Sequence, residues 1–217
     1  AADPAQYEKQ GPARFIGHLE LTQIFLRALR RLGVRLRHSQ GFHPQPRIIF
    51  SNPLPVGVES QVEYVDLEVT EVHGRVTAAE LIDRLNERQL PEGLRVLGEV
   101  TDRFPLNGMT SVRYRVMLPA DLPMPVVEAA VASFLAGSIC LLQKKKQVLN
   151  IRPLVRQLEV VEHGLLMELA TPISGTLKAG ELVSLLLPDL ELADVRITKL
   201  ESVFEGQLED AAGLALR

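Results

Sequence analysis

Seven residues in the first quarter of the chain have side chains or backbone freedom that suit phosphate binding or proton transfer. They are Arg14, His18, Glu20, Ser39, Gly41, His43 and Arg47. His18 begins a predicted helix, where free backbone N–H groups favour a nearby anion. The glycine and the prolines of residues 40–46 predict a stiff loop with accessible N–H groups. We expect His18 and this loop to form one pocket for a phosphate or nucleotide, flanked by Arg14 and Arg47.

Two other interpretations fit the same residues. In the first, His18 works with Glu20 or His43 as the acid and base of an enzyme whose substrate contains phosphate. In the second, His18 only caps the helix and the prolines only set the course of the loop. The sequence contains neither a nucleophile elbow G-x-S-x-G nor a glycine-rich phosphate-loop motif.

A metal site is not expected. His18, His38 and His43 are three possible nitrogen donors within 26 positions, but zinc needs three or four ligands that converge on one point. The H-x-E form of His18-Leu19-Glu20 lacks the P-C-x-x-C partner that zinc deaminases need.

Positive charge is concentrated in two segments of an acidic chain whose net charge is −3. Residues 1–60 hold 8 Lys and Arg against 4 Asp and Glu, and residues 137–158 hold 5 against none. The cations that we assign to a nucleic-acid or anion-binding surface are Arg27, Arg30 and Arg31 on the polar face of the first helix, and Lys144, Lys145, Lys146 and Arg152. Such clusters suit a local anionic partner such as RNA, although a solvated surface is the alternative. Aromatic residues make up only 5% of the chain, so RNA binding would depend on phosphate contacts and shape.

The single cysteine excludes most redox and metal chemistry. Cys140 cannot form an intrachain disulfide or hold an iron–sulfur cluster alone, and its apolar neighbours predict a buried thiol. No apolar stretch approaches the ~20 residues of a membrane span, and no signal peptide is evident. We therefore expect a cytoplasmic protein that does not contact a membrane.

Hydrophobic periodicity predicts an α+β fold. Strands are predicted at residues 13–17, 34–39, 47–51, 63–71 and 94–100, with helices at 18–32 and 77–89. A similar order follows, with strands at 110–118, 139–143, 158–161, 165–169 and 195–204 and helices at 125–136 and 177–187. This order predicts two tandem ferredoxin-like (βαββαβ) units packed together. The units span residues 7–104 and 109–205, between a linker or cloning remnant (1–6) and a tail (206–217).

Several stretches resemble a bacterial domain of unknown function that is fused to, or encoded beside, B12-binding-type radical S-adenosylmethionine (SAM) proteins. The resemblance lies in residues 7–15, 18–20, 27–31, 39–46 (Ser39-Gln40-Gly41-Phe42-His43-Pro44-Gln45-Pro46), 53–60 and 63–64, with a weaker match at 150–153. It implies a radical SAM protein or domain as partner. It also implies that the iron–sulfur cluster and S-adenosylmethionine are held by that partner, with no cofactor on this chain.

The leading hypothesis is a non-catalytic substrate-recognition domain, binding RNA, that acts with a radical SAM enzyme in RNA modification or handling. The alternatives are the phosphate-substrate enzyme that uses His18 with Glu20 or His43, and a protein–protein adaptor whose arginines meet an acidic partner. Salt-dependent binding to RNA separates the first hypothesis from the adaptor.

Overall fold

The structure confirms the predicted α+β class. The computed structural model describes residues 4–72, 76–100, 108–144, 148–172 and 176–204, and these ranges contain four α-helices and twelve β-strands. The chain divides into two compact units, residues 1–107 and 108–217. No helix in the described ranges is long and apolar enough to cross a membrane.

The first unit is a four-stranded antiparallel sheet with two helices. Its elements are β1 (Ala5–Lys9), α1 (His18–Arg31), β2 (Val34–Leu36), β3 (Ile48–Phe50), β4 (Glu59–Leu67), β5 (Val69–Val72), α2 (Ala78–Arg88) and β6 (Leu94–Glu99). β1 pairs with β4 on one side and β6 on the other, and β3 pairs with β4, giving the order β3-β4-β1-β6. β2 and β5 form a separate antiparallel pair.

Helix α1 follows the amphipathic pattern predicted for it. Its buried side chains are Leu21, Phe25, Ala28 and Leu29, which recur at helical spacing and pack into one core with the sheet. Gly33 follows the helix with a φ of +73°, a left-handed conformation that glycine adopts at low cost. The chain can therefore turn at once into β2.

The first strand of the unit differs from the prediction. The sequence predicts a strand at residues 13–17, but the segment Gly11–Phe15 is a 3-10 helix with proline in its first turn. Pro12 lacks the N–H that a sheet ladder needs. The first strand is instead β1, which includes Ala5 and Gln6, two residues that the sequence assigns to a linker.

The second unit contains four strands that pair with one another, a hairpin and two helices. Its elements are β7 (Met109–Met117), α3 (Met124–Ala136), β8 (Leu141–Gln143), β9 (Val148–Asn150), β10 (Val155–Val161), β11 (Gly164–Ala170), α4 (Ala179–Leu186) and β12 (Arg196–Phe204). The main sheet has the order β10-β11-β7-β12, with antiparallel neighbours. The hairpin β8–β9 stands apart from that sheet.

A polar network links the four strands of this second sheet. Ser111 donates a hydrogen bond to Glu168 Oε1 at 2.7 Å, and Arg113 donates to Glu168 Oε2 at 3.0 Å. Arg113 also reaches Glu201 at 3.0 Å, and Arg156 donates to the Ser111 hydroxyl at 3.1 Å. Each carboxylate oxygen of the buried Glu168 thus has a donor, as a buried charge requires.

Candidate functional site

Two polar side chains of β1 point into the core of the first unit. Successive residues of a strand alternate between its faces, so Tyr7 and Lys9 share a face, and they are only 3% and 2% exposed. Glu63 lies opposite Tyr7 on β4 and is buried as well. A lysine and a glutamate therefore occupy positions at which core packing normally favours apolar residues.

A small cavity adjoins these side chains where β1, the start of α1 and the segment after β3 meet. Its lining consists of the polar residues Tyr7, Lys9, His18, Ser51 and Asn52 and the apolar residues Ile16, Leu21, Phe50, Pro53 and Leu54. The volume open to the centres of water molecules is about 10 Å³, enough for about one water. No acidic side chain belongs to the described lining.

Hydrogen bonds around the cavity leave two of its donors unused. The Ser51 hydroxyl donates to Glu63 Oε2 at 3.0 Å and accepts from the backbone N–H of Tyr64 at 3.3 Å. Within the described part of the chain, neither the Lys9 ammonium nor the Tyr7 hydroxyl has a hydrogen-bond partner. In the described residues, the fully buried side-chain N and O atoms without a partner are Gln89 Oε1 and Ser202 Oγ, so the Lys9 and Tyr7 donors are open to the cavity.

Burial changes the acidity of both unused donors. It lowers the pKa of the Lys9 ammonium, and the charge of Glu63 opposes that change. It raises the pKa of the Tyr7 hydroxyl well above its ordinary value, and the charge of Glu63 adds to the rise. Tyr7 is therefore a neutral hydrogen-bond donor over the physiological pH range.

Aromatic rings in edge-to-face contact form part of the wall of the cavity. The rings of Tyr7, Phe25 and Phe50 meet edge to face, with centroids 5.5 to 6.1 Å apart. The His18 ring contacts Phe50 in the same way at 5.5 Å. Such contacts fix ring orientation, so His18 has a defined place beside the cavity.

Helix α1 begins without a side-chain cap. Gly17 occupies the N-cap position and offers no side-chain acceptor, and the first intrahelical bond runs from the Leu21 N–H to the Gly17 carbonyl at 2.9 Å. The N–H groups of His18, Leu19 and Glu20 precede that bond and have no partner in the helix ladder. The positive end of the helix dipole therefore lies next to the cavity.

The arginines expected beside His18 have acidic partners elsewhere. Arg14 Nη1 lies 3.4 Å from Glu59 Oε1, and its guanidinium stacks on Phe15 at 4.7 Å. Arg47 Nη1 lies 2.8 Å from Glu68 Oε1. The cavity lining includes His18 but neither of these arginines.

The loop at residues 38–46 is closed at its base. His38 and Pro46 form a β-bridge, the Ser39 N–H donates to the Gln45 carbonyl at 2.8 Å, and the Ser39 hydroxyl accepts from the Gln45 N–H at 3.0 Å. Gly41 has a φ of +130°, which a side chain would disfavour. Ser39 and Gly41 thus shape the loop.

The three side chains of the candidate acid–base group do not share one site. Glu20 is exposed in the first turn of α1, and His43 is exposed in the loop. The hydrogen bonds and ion pairs of the described residues do not connect either side chain to His18. Of the three candidates, only His18 lines the cavity.

A larger groove of about 490 Å³ runs beside the second half of α1. Its apolar lining is Leu26, Leu29, Val34, Leu36 and Pro46, and its polar lining is Arg30, Arg35, His38 and Thr70. Arg35 pairs with Glu71 at 3.2 Å. The groove combines an apolar floor with cationic side chains.

Helix α1 carries three exposed arginines, of which Arg30 lines this groove. Arg27, Arg30 and Arg31 are exposed, and within the described ranges none of them forms an ion pair. Arg27 donates to the backbone carbonyl of Gln23 at 3.2 Å. Their guanidinium charges remain available to an anion.

The second cationic segment is largely engaged within its own unit. Lys144 pairs with Glu181, and Arg152 donates to the carbonyls of Gly137 at 3.1 Å and Val155 at 3.3 Å while stacking on a phenylalanine ring. Lys145 and Lys146 lie outside the described residues.

Metal-ligand clusters are absent from the described residues. Cys140 is half-buried and has no disulfide partner. The apolar neighbours that predict a buried thiol, Ile139 and Leu141, are themselves exposed at 68% and 63%, because β8 belongs to the separate hairpin.

The model of a family described as an uncharacterized protein conserved in bacteria (DUF2344) matches residues 4–180. The chain belongs to the DUF2344 family. This match covers the cavity and the groove, and it confirms the bacterial family of unknown function that the sequence resembles. The link of DUF2344 to radical SAM proteins stays a prediction. No curated protein in the comparison matches the chain.

The buried donors of the cavity were not predicted from the sequence. Tyr7 and Lys9 alternate with Gln6 and Glu8, which is the pattern of a half-buried strand. However, the inward face carries a lysine at position 9 where an apolar residue is expected. Hydrophobic alternation alone therefore does not predict this strand. The clearest signal is the sequence Tyr7-Glu8-Lys9, which lies within the stretches that carry the family resemblance.

Proposed function

We propose that this chain is a non-catalytic recognition domain that binds RNA in the groove beside α1. The observation that carries the proposal is the group formed by Arg27, Arg30 and Arg31, three exposed arginines without ion-pair partners in the described ranges. Guanidinium groups bind phosphate through forked hydrogen bonds. Phosphate contacts supply much of the affinity of nucleic-acid-binding proteins.

The groove suits a nucleotide in size and chemistry. Small-molecule sites commonly have volumes of about 300–1,000 Å³, and this groove has about 490 Å³. Its leucine and valine side chains offer apolar contact to a base, and Arg30 offers a cation to the adjoining phosphate. Unstacked bases of single-stranded RNA are the form that such a groove can accept.

An exposed aromatic ring lies on the loop that borders the groove. Phe42 is fully exposed at 102%, and the base of its loop, His38 and Pro46, lines the groove. Base–aromatic stacking contributes about 1–3 kcal/mol per base. Phe42 therefore adds a stacking position that the low aromatic content of the sequence did not suggest.

The proposal includes a partner. The resemblance of the sequence to domains associated with radical SAM proteins is the reason for proposing that this chain presents RNA to such an enzyme. The iron–sulfur cluster and S-adenosylmethionine then belong to the partner, because one cysteine provides too few ligands. The proposal also places the protein in the cytoplasm, where RNA is available.

The two units are proposed to be ferredoxin-like. Each sheet places the first strand of its unit between the third and the fourth, with the second strand at the edge: β3-β4-β1-β6 and β10-β11-β7-β12. In the first unit, β2 and β3 together take the place of the second strand, because β2 pairs with β5 and β3 with β4. Two helices in each unit complete the βαββαβ order.

Charge reversal on α1 tests RNA binding. We expect the variant Arg27→Glu/Arg30→Glu/Arg31→Glu to bind a fluorescein-labelled single-stranded RNA of mixed sequence more weakly, as measured by fluorescence anisotropy over a series of KCl concentrations. The slope of log K against log [KCl] should fall by about 0.7 for each phosphate that the variant no longer binds.

The matched control reverses three exposed arginines of the same unit outside the groove, Arg84, Arg88 and Arg95. Equal weakening in both triple variants would show that only net charge matters and would refute the groove. Absence of RNA binding in the unmodified protein would favour the adaptor hypothesis.

A further inference from the structure

We propose that the cavity formed by Tyr7, Lys9, His18 and Ser51 is a binding site for a phosphoryl group. This site is independent of the RNA groove, since the two share no lining residue. Among the described residues, the cavity lining offers hydrogen-bond donors and no acidic side chain.

Two side chains of the cavity carry donors without a protein acceptor in the described part of the chain. Lys9 is a cation 2% exposed, and within the residues described its ammonium has neither a hydrogen bond nor an ion pair. The Tyr7 side chain is likewise buried, and its hydroxyl makes no hydrogen bond there. Both donors line the cavity, and polar groups at such sites in folded proteins are nearly always hydrogen-bonded. Two donors that face one cavity without a protein acceptor are placed to bind one acceptor between them.

The start of helix α1 adjoins the same cavity. His18 both lines the cavity and begins the fourteen-residue helix α1, whose N-cap has no side-chain acceptor. Free N–H groups and the helix dipole stabilise an anion at this end. Lys9 and Tyr7 approach from β1, so donors converge from a strand and a helix, which suits a tetrahedral group with several oxygen atoms better than a single acceptor atom.

The size of the cavity sets how the ligand binds. About 10 Å³ admits one oxygen atom in the place of a water molecule. The remaining oxygens of a phosphoryl group would lie at the mouth, which His18 and Asn52 line with exposed side chains. Glu63 is the nearby negative charge; it is absent from the lining, and the Ser51 hydroxyl binds its Oε2.

Isothermal titration calorimetry with inorganic phosphate, at constant ionic strength, tests the site. We expect saturable binding to the full chain and a loss of affinity of about tenfold or more in Lys9→Met, because hydrogen bonds to charged groups contribute about 1.5–3 kcal/mol. Tyr7→Phe, which keeps the ring in the core, should bind phosphate more weakly than the unmodified protein. Arg95→Met removes one exposed cation from the same unit and should bind like the unmodified protein.

A second arm distinguishes the source of the phosphoryl group. Short RNAs of one sequence, with and without a 5′-phosphate, are compared on the unmodified protein and Lys9→Met. A preference for the 5′-phosphate that disappears in Lys9→Met assigns the site to an RNA end; equal binding, with phosphate binding retained, assigns it to a free phosphate or a small phosphate ester.

Two results would overturn the proposal: no saturable phosphate binding to the unmodified protein, or undiminished binding in both Lys9→Met and Tyr7→Phe. The triple arginine variant of α1 separates this proposal from RNA recognition. It should keep its affinity for inorganic phosphate while its affinity for RNA falls.

Discussion

Glu168 shows what a buried charge needs in order to stabilise a fold. Burial alone would raise the pKa of its carboxyl, but hydrogen bonds from Ser111 and Arg113 and the charges of Arg113 and Arg156 bring that pKa below its ordinary value. A carboxyl whose pKa is lowered by folding stabilises the folded state at every pH above its unfolded pKa. This contribution is lost as the pH falls through the folded-state pKa.

We expect Glu168→Gln to lower the free energy of unfolding by about 1–3 kcal/mol at pH 7, since two arginines lose a charged partner. Its stability should also depend less on pH between about 5 and 3, where the unmodified protein loses the contribution. Urea denaturation over a series of pH values measures both effects. Glu128→Gln, at an exposed position of α3, is the control; an identical pH dependence in all three proteins would contradict the prediction.

At the level of single residues, the sequence predicts that His18 shares a pocket with Arg14, Arg47 and the loop at residues 40–46, whereas the lining of the cavity beside His18 includes none of them. Helix N-termini and glycine-rich loops have recognisable local patterns. Tyr7, Lys9 and Ser51 meet His18 only through pairing between β1 and β4 and through the path of the chain after β3. Contacts of this kind depend on tertiary structure, and one sequence does not reveal them.

Among the elements, helices were predicted more accurately than strands. Thr77 and Glu80 form the predicted capping box of α2, with the Glu80 N–H donating to the Thr77 hydroxyl at 3.2 Å and the Thr77 N–H donating to the Glu80 carboxylate at 2.8 Å. These signals lie within one turn. The strand β1 contains an inward lysine and β9 is three residues long, so neither has a clear hydrophobic alternation.

Gly93, which precedes β6, holds the 3-10 segment against the sheet. Its φ is +83°, and a Cβ atom at this position would lie 2.0 Å from the carbonyl oxygen of Gln10. The Gln10 N–H donates to the Gly93 carbonyl at 2.7 Å. The two backbones therefore approach more closely than any side chain permits.

Gly93→Ala should lower the free energy of unfolding by about 2–4 kcal/mol, because the left-handed conformation and the overlap both disfavour a methyl group. Gly98→Ala provides a control on the same strand, as its Cβ would meet nothing within 4 Å; it should remain within about 1 kcal/mol of the unmodified protein. Chemical denaturation compares the two. Similar losses in both variants would mean that strand propensity, rather than the close approach to Gln10, limits stability.

Across the whole molecule, many cations already have an acidic partner. Arg37 and Arg47 share Glu68, whose pKa the hydrogen bond from Arg47 lowers most, and Lys144 pairs with Glu181. Net charge therefore says little about where an anion binds. The arginines of α1 differ because the described residues provide them with no ion pair.

We expect Arg30→Gln to weaken RNA binding and to lower its salt slope by about 0.7, the value for one phosphate contact on a single strand. Arg37→Gln removes the same charge from an arginine already paired with Glu68 and should change the slope much less. Fluorescence anisotropy at several KCl concentrations measures both slopes. Equal slopes for the two variants would contradict the distinction between paired and unpaired arginines.

The fastened base of the loop at residues 38–46 allows its tip to vary independently of the sheet. The Arg37 N–H donates to the Glu68 carbonyl and the Arg47 N–H to the Arg37 carbonyl, both at 2.7 Å, and the Glu68 N–H donates to the Arg47 carbonyl at 3.4 Å. The two ends of the loop are therefore bonded to each other and to Glu68. An insertion between these points leaves the register of β2 and β3 unchanged and costs only loop closure, about 0.6 kcal/mol for each doubling of length. The tip of the loop can therefore change in length or sequence while the scaffold that carries it stays the same.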